Sequence, residues 1–167
     1  EYDEKLLNEN LEIILTRDFN NRSSDDAWIL ASSAGTELSK PNGPKVAVFE
    51  VDGFDTHAAQ GATDGAHADS LSDYDNIVRS LKSSMSEEAF NNTLVLTLTE
   101  FGRTIKQNSS NGTEHGYGSA ILMAGGLLKQ AQVHTDWPGL KRKESVSYTQ
   151  LTLPTTRDVV VWVVAGG

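Results

Sequence analysis

Residues 45–60 read KVAVFEVDGFDTHAAQ, an apolar run that ends abruptly in two acids and a histidine. Val46, Ala47, Val48, Phe49 and Val51 give the pattern of a short strand buried on both faces of a largely parallel sheet. Gly53 breaks the run. Ligands in open α/β sheets bind outside the carboxyl ends of the strands, so Asp52, Asp55 and His57 stand where such a fold keeps its reactive groups. Asp and His are also ligands for hard to borderline metal ions.

Two later stretches repeat the arrangement. Thr93 to Thr99, TLVLTLT, reads as a second central strand and stops at Glu100-Phe101-Gly102-Arg103. Asn111-Gly112-Thr113-Glu114-His115-Gly116 then precedes a third apolar run, Ala120 to Ala124. Between the first two strands lies a helix with Leu71, Tyr74, Ile77, Val78 and Leu81 on one face. Strand, helix and strand make a βαβ unit with parallel strands, so Asp55, His57 and Glu100 gather at one sheet edge. The third strand leaves two alternatives. If it is antiparallel, His115 joins the cluster; if parallel, His134 does. The Asn, Ser and Gly-rich stretch before it, with little helical pattern, favours His115.

A chain of 167 residues suits one domain with a real core, burying roughly 70% of its unfolded surface. The 23 acids against 14 bases, a formal charge of −9, argue against nucleic acid and against an anionic membrane surface as partners. No cysteine is present, which removes disulfides, thiolate metal sites and a cysteine nucleophile. No run approaches the ~20 apolar residues of a membrane span. The chain starts at Glu1 without a signal-like segment, which reads as a processed product or a fragment.

The flanks carry less chemistry. Tyr2 to Leu15 reads as an amphipathic packing helix, and Ser24 or Asp25 caps a second helix reaching about Leu38, with Trp28, Ile29 and Ala31 turned inward. From Val146 the acidic character disappears and the chain ends in a valine-rich run with no evident strand partner. Residues 1–145 are therefore taken as one piece of domain, and residues 146–167 as a doubtful tail resembling in-frame translation of a sequencing-library adapter.

Gly-Phe-Asp-Thr-His-Ala-x-Gln (53–60), Glu-Phe-Gly-Arg-Thr (100–104), Gly-Thr-Glu-His-Gly (112–116) and Asp-Trp-Pro-Gly-Leu (136–140), in this order, resemble the bacterial family called domain of unknown function 1501. These are sulfatase-like proteins of the alkaline-phosphatase superfamily, often exported through the twin-arginine pathway. The resemblance covers roughly Lys45 to Leu140, and a Leu-x-Pro-Thr-Thr-like stretch of the family gives Leu153 to Thr156 a second reading as genuine sequence. Two departures are mild: Asp52 stands where the family usually has Gly, and Glu114 where it usually has Asp. A larger one is that the family's amino-terminal half is not in this chain.

The resemblance implies a fold and a chemistry. The fold is a three-layer αβα sandwich with a mostly parallel sheet, alkaline-phosphatase-like and incomplete here. The activity is metal-dependent hydrolysis of a small anionic phosphate or sulfate ester by an exported, periplasmic protein. Asp55, His57 and His115 become ligands of a divalent ion, zinc, manganese or calcium; without the family, Asp55 and His57 read more readily as a turn cap and a surface histidine, and His115 has a plain turn as its alternative. Glu100 becomes a metal ligand or general base, although Phe101 replaces the histidine that superfamily hydrolases carry beside it. Arg103 suits an ester oxyanion through its guanidinium fork. Glu114 orients His115 as an outer acid. The nucleophile belongs to the absent half, so this piece alone is expected to be inactive. The other reading is a non-catalytic binding or secretion-associated module with a degenerate site.

Overall fold

The computed structural model describes residues 24–116, 118–135 and 159–165. The helix expected over Tyr2 to Leu15, the turn at Asp136 to Leu140 and the stretch 146–158 lie outside the described residues. The elements are α1 (Ser24–Leu38), β1 (Val46–Val51), α2 (Ala66–Ser84), α3 (Glu87–Asn91), β2 (Thr93–Thr99), β3 (Gly102–Arg103), β4 (His115–Gly116), β5 (Leu122–Ala124) and β6 (Val159–Ala165). Together they form an α/β unit of helices with two small antiparallel sheets.

The larger sheet has the order β1-β6-β2-β5, and all three of its pairings are antiparallel. The largely parallel sheet expected from the two central runs is therefore not what these pairings form. The reason is β6: the valine run slots between β1 and β2, opposing both. Val163 pairs with Ala47 on one side and Val95 on the other. Because β1 and β2 each oppose β6, they still run in the same direction, and their carboxyl ends share one edge. β5 opposes β2, the arrangement in which His115 and not His134 enters from the active edge.

Alternation along the strands decides what faces the helices. Val51, Val95, Val163 and Ala165 meet Ala31, Ala34, Leu38, Ile77, Leu81 and Met85 in one buried cluster. β2 contributes Thr93 and Thr97 to the same face, and both hydroxyls are satisfied: Thr93 donates to the Ala89 carbonyl at 2.7 Å, and Thr97 shares a 2.7 Å bond with the Tyr74 hydroxyl. A buried hydroxyl is tolerated when it is so paired. On the opposite face Val48 is 40% exposed. Ile77 and Leu81 are 1% exposed, whereas Leu71, expected on the same face, is 48% exposed, because Ser70 takes the inward position at that turn. Ile77→Ala is expected to cost about 2–5 kcal/mol, read as a lower urea midpoint at unchanged m.

Helix α1 packs by its small residues. A Cβ on Gly35 would meet Ser84 and the Leu81 carbonyl, so the helices cross where α1 has no side chain. Ala31, Ala34 and Leu38 follow on that face, while Trp28 and Ile29, expected inward, are 45% and 47% exposed. A bulky indole cannot enter a crossing this close. No helix among the described residues is long and apolar enough to cross a membrane.

Candidate metal centre

Three loops meet at the shared edge because their backbones are laced together. Gly53 leaves β1 at φ 96°, a left-handed conformation that favours glycine, and its carbonyl accepts from Ser70 Oγ at 2.9 Å. The loop after it lies along residues 110–113: Ala59 and Gln60 donate to the Ser110 and Asn111 carbonyls at 2.9 Å, and Thr113 donates to the Thr56 carbonyl at 3.2 Å. The third loop joins through the short pairing of β3 with β4, which sets Arg103 directly opposite His115. Gly112 sits hard against the peptide linking His57 to Ala58, with no room for a Cβ. Gly112→Ala is expected to force these two loops apart, costing about 1–3 kcal/mol and weakening metal binding. Urea unfolding and zinc titration of the variant check both effects.

The lacing brings Asp55, His57 and His115 together. His57 Nε2 is 2.9 Å and His115 Nε2 3.0 Å from Asp55 Oδ1, and the two imidazole nitrogens are 3.1 Å apart. Donors about 2.1 Å from a shared ion lie roughly 3.0–3.4 Å apart for bond angles from 90° to tetrahedral. The triangle is therefore the right size for one ion, and these three residues can hold a divalent metal. Asp55 is the half-buried member; both imidazoles are exposed on one side, leaving room for further ligands.

Neighbouring groups fix the triad's charge and orientation. Arg103 Nη1 donates to Asp55 Oδ1 at 2.5 Å, its Nε donates to Thr113 Oγ1 at 2.9 Å, and its Nη2 donates to the Thr113 carbonyl. The guanidinium thus turns inward and clamps a ligand. Burial pushes the Asp55 carboxyl upward, but hydrogen bonds from Arg103 and His115 and the nearby imidazoles prevail and hold it below its ordinary value. Glu114 accepts from His57 Nδ1 at 3.0 Å, so it orients His57 and not His115. The hydrogen bond from Asn108, reinforced by His57 against a smaller effect of desolvation, lowers the Glu114 carboxyl. His115 is held by stacking: the Phe101 ring lies 3.7 Å away at 17°.

Glu100 lies outside the triad and is partly buried, with Oε2 lacking a hydrogen-bond partner among the described residues. His67 packs edge-on against Phe54, and His134 is exposed. Sequence reasoning overlooked Asn108, Thr113 and Gln60. Gln60 Oε1 accepts from both Thr56 and Thr113, joining two loops. The signal for Asn108 was its place in an Asn-Ser-Ser-Asn-Gly turn, where an Asx side chain commonly caps its own backbone.

Neither the curated proteins nor the solved structures yielded a match. A family profile does match, over residues 38–159, which takes in all three loops and both central strands. The chain belongs to that family, described as protein of unknown function (DUF1501).

Proposed function

We propose that this chain holds one divalent ion between Asp55, His57 and His115 and serves in hydrolysis of a phosphate or sulfate ester. The observation that carries the reading is the tight triangle of one carboxylate oxygen and two imidazole nitrogens at the sheet edge. When bound, such an ion supplies a Lewis acid for the charge that develops on the transferring group. Two imidazoles favour zinc over calcium, which takes oxygen ligands, and the set also suits manganese and ferrous iron.

The chain's own residues have distinct parts in this reading. Arg103 keeps Asp55 ionised and aimed at the ion, Glu114 does the same for His57, and Phe101 fixes the plane of His115. Glu100, whose Oε2 has no hydrogen-bond partner among the described residues, is the candidate general base or second ligand. By the family resemblance, the α/β unit is the carboxyl-terminal part of a three-layer sandwich of alkaline-phosphatase type, sulfatase-like and exported. An amino-terminal half supplies the Ser or Thr nucleophile. The test is turnover of aryl phosphate and aryl sulfate by the full-length protein with zinc, manganese, ferrous iron or calcium. Turnover that disappears in His57→Ala supports the reading; no turnover with any ion sinks it for those esters.

Two observations favour a second reading, a non-catalytic module. Arg103 turns three of its N–H donors on Asp55 and Thr113, and, by the family resemblance, Phe101 occupies the place where superfamily hydrolases carry a histidine. Folded full-length protein that takes up no metal would support the module.

A further inference from the structure

Gln60 belongs to a closed ring of hydrogen bonds beside the triad. Its Oε1 accepts from Thr56 Oγ1 at 2.8 Å and from Thr113 Oγ1 at 2.7 Å, and the Thr113 N–H closes the ring by donating to the Thr56 carbonyl at 3.2 Å. Thr56 is 8% exposed, and Gln60 and Thr113 are partly buried, so the ring is largely shielded from water. The bridge survives either orientation of the amide, because a threonine hydroxyl donates to Oε1 as readily as it accepts from Nε2.

Thr113 carries the constraint of the ring to Arg103. A guanidinium has donors only, all in one rigid plane. Its Nε donates to Thr113 Oγ1 at 2.9 Å and its Nη2 to the Thr113 carbonyl, so a single residue holds two corners of that plane. The third corner, Nη1, then falls on Asp55 Oδ1 at 2.5 Å. A threonine has three staggered χ1 wells, and the bond to Nε needs the one that turns Oγ1 towards Arg103; the others bring the methyl group or a hydrogen there. Gln60 bonds the same oxygen and so selects that well.

We propose that Gln60 is a positioning residue for Arg103: by fixing the Thr113 hydroxyl it sets the plane of the guanidinium, and with it the corner that holds Asp55. Its consequence for metal affinity rests on the proposed metal site, whereas the placement of Arg103 does not. Three variants separate this role from simple tying of two loops. Thr113→Val keeps the shape and the carbonyl but removes the hydroxyl. Gln60→Ala keeps the hydroxyl and frees it to turn. Gln60→Glu retains an acceptor of the same reach for both threonines and is the conservative rescue. A looser Arg103 in a folded protein is the signature.

The experiment uses the full chain, metal-free, in mildly acidic buffer, where guanidinium hydrogens exchange slowly. Nitrogen-15 NMR reads the exchange of the Arg103 Nε–H with water, the peak being assigned by its loss in Arg103→Lys and amide-peak dispersion serving as the fold control. Arg79, whose side chain is 75% exposed, is the internal reference. The wild-type Arg103 Nε–H is expected to exchange clearly more slowly than that of Arg79. Gln60→Ala and Thr113→Val should each speed it about five- to tenfold, the ratio that one hydrogen bond supports, and Gln60→Glu should stay close to the wild type. Zinc affinity should fall about 10–100-fold in the first two. A wild-type Arg103 Nε–H that exchanges as fast as that of Arg79 overturns the proposal even if no variant folds. Exchange unchanged in folded Gln60→Ala overturns it as well and leaves Gln60 a tie between loops. If the wild type binds no zinc, the metal reading fails separately, and the exchange comparison still decides the positioning role.

Discussion

His57→Ala is expected to abolish stoichiometric zinc binding while leaving the metal-free protein nearly as stable as the wild type. The imidazole is 44% exposed on its side-chain surface, so little packing is lost, but one of three donors goes. Loss of a direct ligand should exceed the roughly 10–100-fold that loss of an outer partner costs. Linkage gives a second readout. At a zinc concentration about 100 times Kd, the wild type gains about 2.7 kcal/mol of stability, and the variant gains essentially none. Isothermal titration and zinc-dependent unfolding check the two arms. Zinc affinity within a few-fold of wild type in His57→Ala would place the ion elsewhere. Asp55→Ala should lose the ion too, with a stability penalty in addition, because it strands the Arg103 guanidinium.

Arg103→Ala is expected to produce the largest loss of stability among changes at the site, about 2–4 kcal/mol. The side chain is 18% exposed and ties Asp55 on the loop after β1 to Thr113 just before β4 while sitting opposite His115. Removing it leaves Asp55, itself 28% exposed, with a carboxylate that has lost its charged partner. Arg103→Lys should recover only part of the loss, because an ammonium cannot address Asp55 and Thr113 in a fork. The pH dependence has a defined sign. Burial opposes it, but Arg103 and His115 hold the folded Asp55 carboxyl below its ordinary value. That contribution is complete above the unfolded value of about 3.9 and is lost as pH falls through the lower folded one. Urea midpoints of wild type and Arg103→Ala between pH 3 and 7, roughly the span over which carboxylates titrate, should therefore differ most at the upper end. Equal midpoints across the range would mean that the clamp contributes nothing.

How much was legible follows from which signals are local. The runs at Val46 and Thr93 declare strands by β-branched content, and Ile77 and Leu81 declare a buried helix face by spacing. The edge on which Asp55, His57 and His115 meet followed from the βαβ connection and from an antiparallel third strand. Neighbour choice is another matter. Nothing in the sequence of Val159 to Ala165 says that it lies between β1 and β2, because alternation sets which face is buried and not which strand is adjacent. Trp28 misled for a related reason: hydrophobicity argued for burial, but α1 approaches α2 closely and buries Ala31 and Ala34 instead. Arg103 and Asn108 show the limit most clearly. Their roles depend on groups brought together by folding, and residue type alone does not say which oxygens the Arg103 guanidinium meets.

X-ray absorption at the zinc edge of the zinc-loaded protein tests the metal centre most directly, because it reads the donors themselves. The expected shell has two imidazole nitrogens and a carboxylate oxygen at about 2.0–2.2 Å, and neither His57→Ala nor His115→Ala should retain zinc in that shell. A shell of oxygens alone, or an imidazole count unchanged in both variants, would contradict a metal site built from Asp55, His57 and His115.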